Sequence, residues 1–236
     1  MFWVQECIGR AWNTEARMRA TTHKSKTFCS DALILVNCDR KMTITMAIKH
    51  GDVVLMACDS AATDDTCDHV TRSGCSKAWV QHMSGTGPLL VGFSGNFAAG
   101  MWIRFGFVWP VLHPYETLEE YLVVKVQPAL VKSLSKRFKT EMDDNRTAWQ
   151  LLVARPHEIF RVHSCGDVES SVLPFASIGD GYQVAHGALF ALQDSHAPVW
   201  EKLESAFRAC VNARTTVRGP LHMLALGSQG VMHAHE

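Results

Sequence analysis

The chain has 236 residues, 47% of them hydrophobic, and its basic and acidic side chains balance at 23 each, giving a formal net charge of zero at neutral pH. That length and apolar content suffice for one large domain, or two small ones, with a sizeable core. A neutral chain lacks the basic excess that nucleic acid or an acidic membrane surface selects, so neither is expected as a partner, while self-association is left open.

The eight cysteines, at 7, 29, 38, 58, 67, 75, 165 and 210, show no C-x-x-C spacing, and no His/Cys cluster has the spacing of a zinc site. They read as reduced thiols rather than a disulfide framework, which points to the cytoplasm. The twelve histidines are scattered. The tail His233-Ala234-His235 reads as a weak metal site or simply a solvated terminus. No cofactor is expected. No apolar run approaches the roughly 20 residues needed to cross a bilayer.

In chain order, residues 1–41 form an N-terminal extension of irregular character. Arg10, Arg17, Arg19, Lys24 and Lys26 give it the charge of a transit peptide without the amphipathic period. Only Ala32–Val36 looks structured. At Met42 the pattern becomes regular, and residues 42–236 read as the folded domain. Thr43–Lys49 is rich in β-branched residues, His50-Gly51-Asp52 supplies a turn, and Val53–Cys58 is a second apolar strand, so a hairpin is expected. Asp59–Ser76, with few apolar residues, reads as a loop. Strands follow at Ala78–Met83 and Leu89–Phe93, around a Ser84–Pro88 turn.

Ser94-Gly95-Asn96 breaks the second of these, and a helix is expected over Phe97–Phe107, ended by Trp109-Pro110. Thr117-Leu118-Glu119-Glu120 has the form of a capping box. The helix it opens carries Leu122, Val126, Leu130 and Leu134 at helical spacing, with Pro128 as an interruption. Trp149–Ala154 and Glu158–His163 are strands around Arg155-Pro156-His157. Asp167-Val168-Glu169 turns into a short strand at Ser171–Leu173. Two helices come next, one through Ala185, Ala188, Leu189 and Leu192, the other over about Pro198–Val211, and Leu221–Leu226 closes the fold as a strand. Strands joined by hairpins, rather than by regular βαβ alternation, imply antiparallel sheets with helices packed on them, a layered α+β domain.

Several stretches then fall into one pattern. Met42–Val54 has the form of an opening strand, turn and second strand, and that second strand ends in Ala57-Cys58-Asp59-Ser60. Leu90-Val91-Gly92-Phe93-Ser94-Gly95 is a strand-to-helix glycine turn. Ser164-Cys165-Gly166-Asp167-Val168, Ala176-Ser177-Ile178-Gly179-Asp180-Gly181 and Arg218-Gly219-Pro220-Leu221 come after it in order. In these motifs the chain resembles the proteasome β-subunit family, including the peptidase subunit of the bacterial two-component ATP-dependent protease, over about residues 42–227. The resemblance implies an N-terminal nucleophile (Ntn) hydrolase domain at 42–236, built as a four-layer αββα sandwich of antiparallel sheets flanked by helices. It further implies a threonine-type endopeptidase acting on protein or peptide substrates inside a self-assembled ring, with a separate AAA+ unfoldase ATPase as partner.

The chemistry needs specific groups. A threonine hydroxyl is a poor nucleophile until a base takes its proton. By the resemblance that base is the α-amino group of Thr43 itself, since an α-amine titrates near pH 8, close to working pH. Thr43 must then be the first residue of the mature chain. Lys77 takes the place of the family's buried lysine, Asp59 that of its carboxylate partner, and the Gly95 N–H that of the oxyanion donor. Read without the resemblance, Thr43 is an ordinary strand residue, Lys77 a solvated strand end, Asp59 a loop cap and Gly95 a turn glycine.

Two positions depart from the family. Asp180 stands where a serine is usual, and Asn212-Ala213-Arg214-Thr215-Thr216 replaces an aspartate and serine before the last strand. Asn212 or Thr216 is available to supply part of that hydrogen bonding, and Asp180 also reads as a structural carboxylate at a helix N-terminus. Met42, rather than glycine, precedes Thr43. Because methionine aminopeptidase removes Met before a small residue, residues 1–41 are expected to be removed or to reflect a mis-assigned start. The departures also admit a catalytically inactive scaffold subunit, or an amidohydrolase acting on a small amide. Met46 and Phe97 are candidates both for a pocket beside the nucleophile and for plain core packing.

Overall fold

The computed structural model describes residues 43–64, 69–72, 76–138, 149–213, 216–228 and 230–235. These fall within one unit, Cys38–Glu236, and the expected extension over residues 1–41 lies outside them. The β-branched start makes the expected hairpin: β1 (Ile44–His50) pairs antiparallel with β2 (Val53–Asp59), with Thr45 opposite Cys58 and His50 opposite Val53. The loop expected after Asp59 instead contains a two-stranded ribbon, β3 (Ala61–Asp64) and β4 (His69–Arg72). Each strand is only four residues long, too short for an alternating apolar signal.

The next strands are β5 (Ala78–Gln81) and β6 (Leu89–Gly95). Asn96 caps helix α1 (Phe97–Phe105), its side chain accepting from the Ala99 N–H at 3.0 Å. Thr117 caps α2 (Leu118–Tyr121) in the same way through the Glu120 N–H at 3.1 Å. Pro128 does not interrupt the helical path that α2 begins. The chain widens into a π-helical turn, Leu122–Val126, in which the Gln127 N–H bonds the Leu122 carbonyl, and continues as α3 (Gln127–Phe138). The proline has no N–H to give and its ring crowds the carbonyl four residues back, and the wider turn falls at that point.

Strands β7 (Trp149–Arg155), β8 (Glu158–His163), β9 (Val168–Ser170) and β10 (Phe175–Gly179) come next. β9 lies three residues ahead of the Ser171–Leu173 strand expected, where Val168 pairs with Val162. Helices α4 (Tyr182–Leu192) and α5 (Val199–Ala213) precede β11 (Leu221–Gly227). The chain does not close there. The segment expected to be a solvated tail or weak metal site, including His233 and His235, forms β12 (Gly230–His235) against β11.

Two five-stranded antiparallel sheets result, in the orders β10-β1-β2-β11-β12 and β5-β6-β7-β8-β9. Strand alternation sorts side chains into three cores. Ile44, Met46 and Ile48 of β1 pack on α4 and α5, with Ala185, Leu189, Leu203 and Ala206. Leu89, Val91 and Phe93 of β6 pack on α1 and α3, with Ile103, Leu130 and Leu134. Between the sheets lie Ala47, Val54, Met56, Leu90, Leu152, Ala154, Ile159 and Ile178. Each large aliphatic or aromatic side chain so buried contributes about 1.5–3 kcal/mol relative to exposure. Helix, sheet, sheet and helix therefore stack as the αββα sandwich expected. Among the described residues no helix is long and apolar enough to cross a membrane.

Candidate active site

Antiparallel pairing of β1 and β2 sets the end of one strand beside the start of the other, so Asp59 comes to lie next to Thr43 and Ile44. The Asp59 carboxylate Oδ1 accepts from the Ile44 N–H at 3.2 Å. Lys77 belongs to the opposite sheet. It precedes β5, where its carbonyl accepts from the Phe93 N–H at 3.1 Å. Its side chain crosses to Asp59, and Nζ donates to Oδ1 at 2.9 Å. The same ammonium donates to the Thr43 hydroxyl. Lys77 and Asp59 are 1% and 0% exposed, and Thr43 is buried beside them.

A hydroxyl, an ammonium and a carboxylate thus form one buried chain. Desolvating two charges costs several kcal/mol per ion and is repaid only by close, well-bonded geometry, so such a pair is weak evidence for stability and better evidence for a role. Burial pushes the Asp59 carboxyl above its ordinary value of 3.8, against the pull of the Lys77 ammonium and of the Ile44 and Ala61 N–H groups. Neighbouring Cys58, facing the inter-sheet layer, is held as a thiol because burial raises its pKa. A cation bonded to the Thr43 oxygen favours the alkoxide character that attack on a carbonyl requires.

The Thr43 backbone is clamped by the segment after β10. The Gly181 N–H points at the Thr43 carbonyl at 3.5 Å. Gly179 has φ +98°, and a β-carbon there would stand 2.1 Å from the Thr43 oxygen and 2.9 Å from Ser94 Oγ. Only glycine tolerates both the conformation and the approach. Gly95 ends β6 with φ +102°, opposite Trp149 and one residue after the fully buried Ser94. It stands next in the chain to Ser94, whose Oγ lies beside Gly179.

The two departures from the family meet each other. Thr216 Oγ1 donates to Asp180 Oδ2 at 2.5 Å. Asp180 does not cap α4, whose N-cap is Gly181 with no side-chain bond. Asn212 lies on the exposed face of α5, apart from this pair. Met46 and Phe97 both pack in helix–sheet cores, the latter 5.9 Å from the Phe93 ring. Sequence reasoning missed the close approach of Gly179 to Thr43. The Ile-Gly pair before a helix was the available signal for it.

No protein-family profile and no curated protein matches the chain. Solved structures do. Eukaryotic HslV from Trypanosoma brucei aligns at 18% identity and TM-score 0.55, covering 78% of this chain and 99% of that one. A BPH protein of Thiobacillus denitrificans aligns at 14% identity and TM-score 0.63, with 78% and 98% covered. Anbu, the ancestral beta-subunit, of Yersinia bercovieri aligns at 14% and 0.61, with 82% and 86% covered. The chain therefore shares its fold with HslV, BPH and Anbu.

Proposed function

We propose that the chain is a threonine-type peptidase whose nucleophile is Thr43, freed as an N-terminal residue. The observation that carries this reading is the Lys77 ammonium, buried against Asp59 and donating to the Thr43 hydroxyl. With the peptide bond to Met42 gone, the α-amino group of Thr43 takes the hydroxyl proton, and the oxygen attacks the scissile carbonyl. The Gly95 N–H stabilises the tetrahedral oxyanion, the amine leaves with the proton, and water releases the acyl group from Thr43. Lys77 keeps the local potential positive, and Asp59 keeps Lys77 in place.

The same reading makes residues 1–41 dispensable. It also makes the working form a homo-oligomer in the cytoplasm, fed protein substrates by a separate AAA+ unfoldase. A helical assembly is described for Anbu of Pseudomonas aeruginosa, which supports self-association of this fold. A second reading, an inactive scaffold subunit, draws on the Asp180–Thr216 pair in place of the family's usual polar groups.

The test uses protein started at Met42, with methionine removal checked by mass spectrometry. Peptide cleavage that Thr43→Ala abolishes is the expected result. The Thiobacillus denitrificans protein is seen in complex with epoxomicin, and adduct formation on Thr43 with that compound is expected too. An intact oligomer that cleaves no peptide and takes no adduct would sink the peptidase in favour of the scaffold. Cleavage of small amides alone would favour the amidohydrolase.

A further inference from the structure

The layer between the sheets changes character along its length. At one end it is Leu90, Leu152, Ala154 and Ile159. At the end holding Thr43 the same strands present Ser94, Gln150 and His163, which are cross-strand neighbours in register on β6, β7 and β8. Gln150 is the hub of this row. Its Oε1 accepts from the Gly179 N–H at 3.4 Å, and its Nε2 lies 3.2 Å from His163 Nδ1. Among the described residues β10 pairs only with β1 and so is an edge strand, which leaves this N–H for a side chain to satisfy.

These contacts fix the amide and the imidazole together. A backbone N–H can only donate, so the atom facing Gly179 is the Gln150 oxygen. The –NH2 then faces His163, and Nδ1 accepts from it only in the form that carries no hydrogen on that nitrogen. Nε2 lies 3.9 Å from Glu169 on β9. The other charged groups around it are Arg161 on its own strand, bonded to Ser177 O and Glu169, and Asp167 in the β8–β9 turn, whose carboxylate accepts from Cys165.

We propose that Gln150, oriented by neutral His163, is a positioning residue for Thr43, acting through the Gly179 N–H; this rests on the threonine-nucleophile reading above. Gly179 is the glycine packed against the Thr43 carbonyl, so whatever anchors it anchors the nucleophile's backbone. Protonation of His163 puts hydrogen on both ring nitrogens and sets two donors face to face. The amide rotates to give its oxygen to the imidazolium, its –NH2 turns toward the Gly179 N–H, and that bond is lost. Thr43 is therefore held in register only while His163 is neutral.

Hydrogen exchange of the Gly179 amide, read by mass spectrometry against its intrinsic rate at each pH, tests this without turnover. Imidazoles change charge between pH 5 and pH 8. Protection in the unmodified protein should fall about tenfold from pH 8 to pH 5, the scale of one net hydrogen bond. His163→Gln, which offers the amide a neutral acceptor, should hold protection at both pH values and move the acid limb of peptide cleavage. Gln150→Leu should lose protection at both. Equal protection at pH 5 and pH 8 in the unmodified protein, or full protection in Gln150→Leu, overturns the proposal. An inactive protein whose Gly179 amide still responds sinks the peptidase reading and supports the coupling. An active protein whose amide ignores both pH and Gln150 sinks the coupling alone.

Discussion

Gly179 and Thr43 approach so closely that a β-carbon on the glycine would stand 2.1 Å from the threonine's carbonyl oxygen. The contact joins the edge of one sheet to the residue proposed as nucleophile, and neither side can yield without moving the other. Gly179→Ala also meets a backbone at φ +98°. The strain is about 1–3 kcal/mol, before the collision is counted. We expect a lower denaturation midpoint and loss of peptide cleavage together. A variant with the original midpoint and rate would show that the approach relaxes at no cost.

Lys77→Met removes one partner of a buried ion pair and leaves the Asp59 carboxyl facing an apolar side chain. The cost should be about 3–5 kcal/mol. Adding Asp59→Leu removes the stranded charge, so the double variant should regain much of that stability in urea titrations while remaining inactive. Recovery of cleavage in the double variant would exclude Lys77 from the chemistry.

Thr216→Val deletes the donor to Asp180 but keeps the shape of the side chain. A hydrogen bond to a charged group is worth about 1.5–3 kcal/mol, and partial exposure of this pair puts the expected loss near the lower figure. Asn212→Ala, on the exposed face of α5, should stay within about 0.5 kcal/mol of the parent. Equal thermal shifts for the two would mean that the Asp180–Thr216 bond contributes nothing.

The raised Asp59 pKa gives the pH dependence a sign. The folded chain takes up this proton at a higher pH than the unfolded chain does. The group's contribution to stability is therefore complete below pH 3.8 and is lost as pH rises through the folded value. Protonation also strips Lys77 of its counter-charge. Acidification should cost peptide cleavage before it costs the fold, with the loss beginning above the range of a free aspartate. Parallel rate and circular-dichroism titrations check this, and coincident loss of both would contradict it.

The layered sheets were legible in the strand and turn pattern, whereas the Thr43–Asp59–Lys77 grouping was legible only through the family resemblance. Taken singly, Asp59 at the end of Ala57-Cys58-Asp59 and the lysine before Ala78 are polar residues at strand ends, and nothing local says that they meet across two sheets. The hidden features depend on partners far along the chain. β3 and β4 are four residues each and pair with one another in a two-stranded ribbon. β12 needs the free edge of β11, and Pro128 reads as a break until the backbone widens at Leu122–Val126. Gln150 looks like an error in an apolar strand, because the Gly179 N–H it serves arrives from another sheet.

Three separate cores have a consequence for how such a chain can change over time. Phe105, Val108 and Val124 lie on the outside of the helical layer over β5–β9, exposed and away from the inter-sheet side chains. Substitutions there rewrite the outer face without a volume change reaching Lys77 or Thr43. Conversely, loss of the hydroxyl at 43 removes no helix contact. The outer face and the Thr43–Lys77 cluster can thus change separately, and a descendant can alter either one while keeping the scaffold of the other.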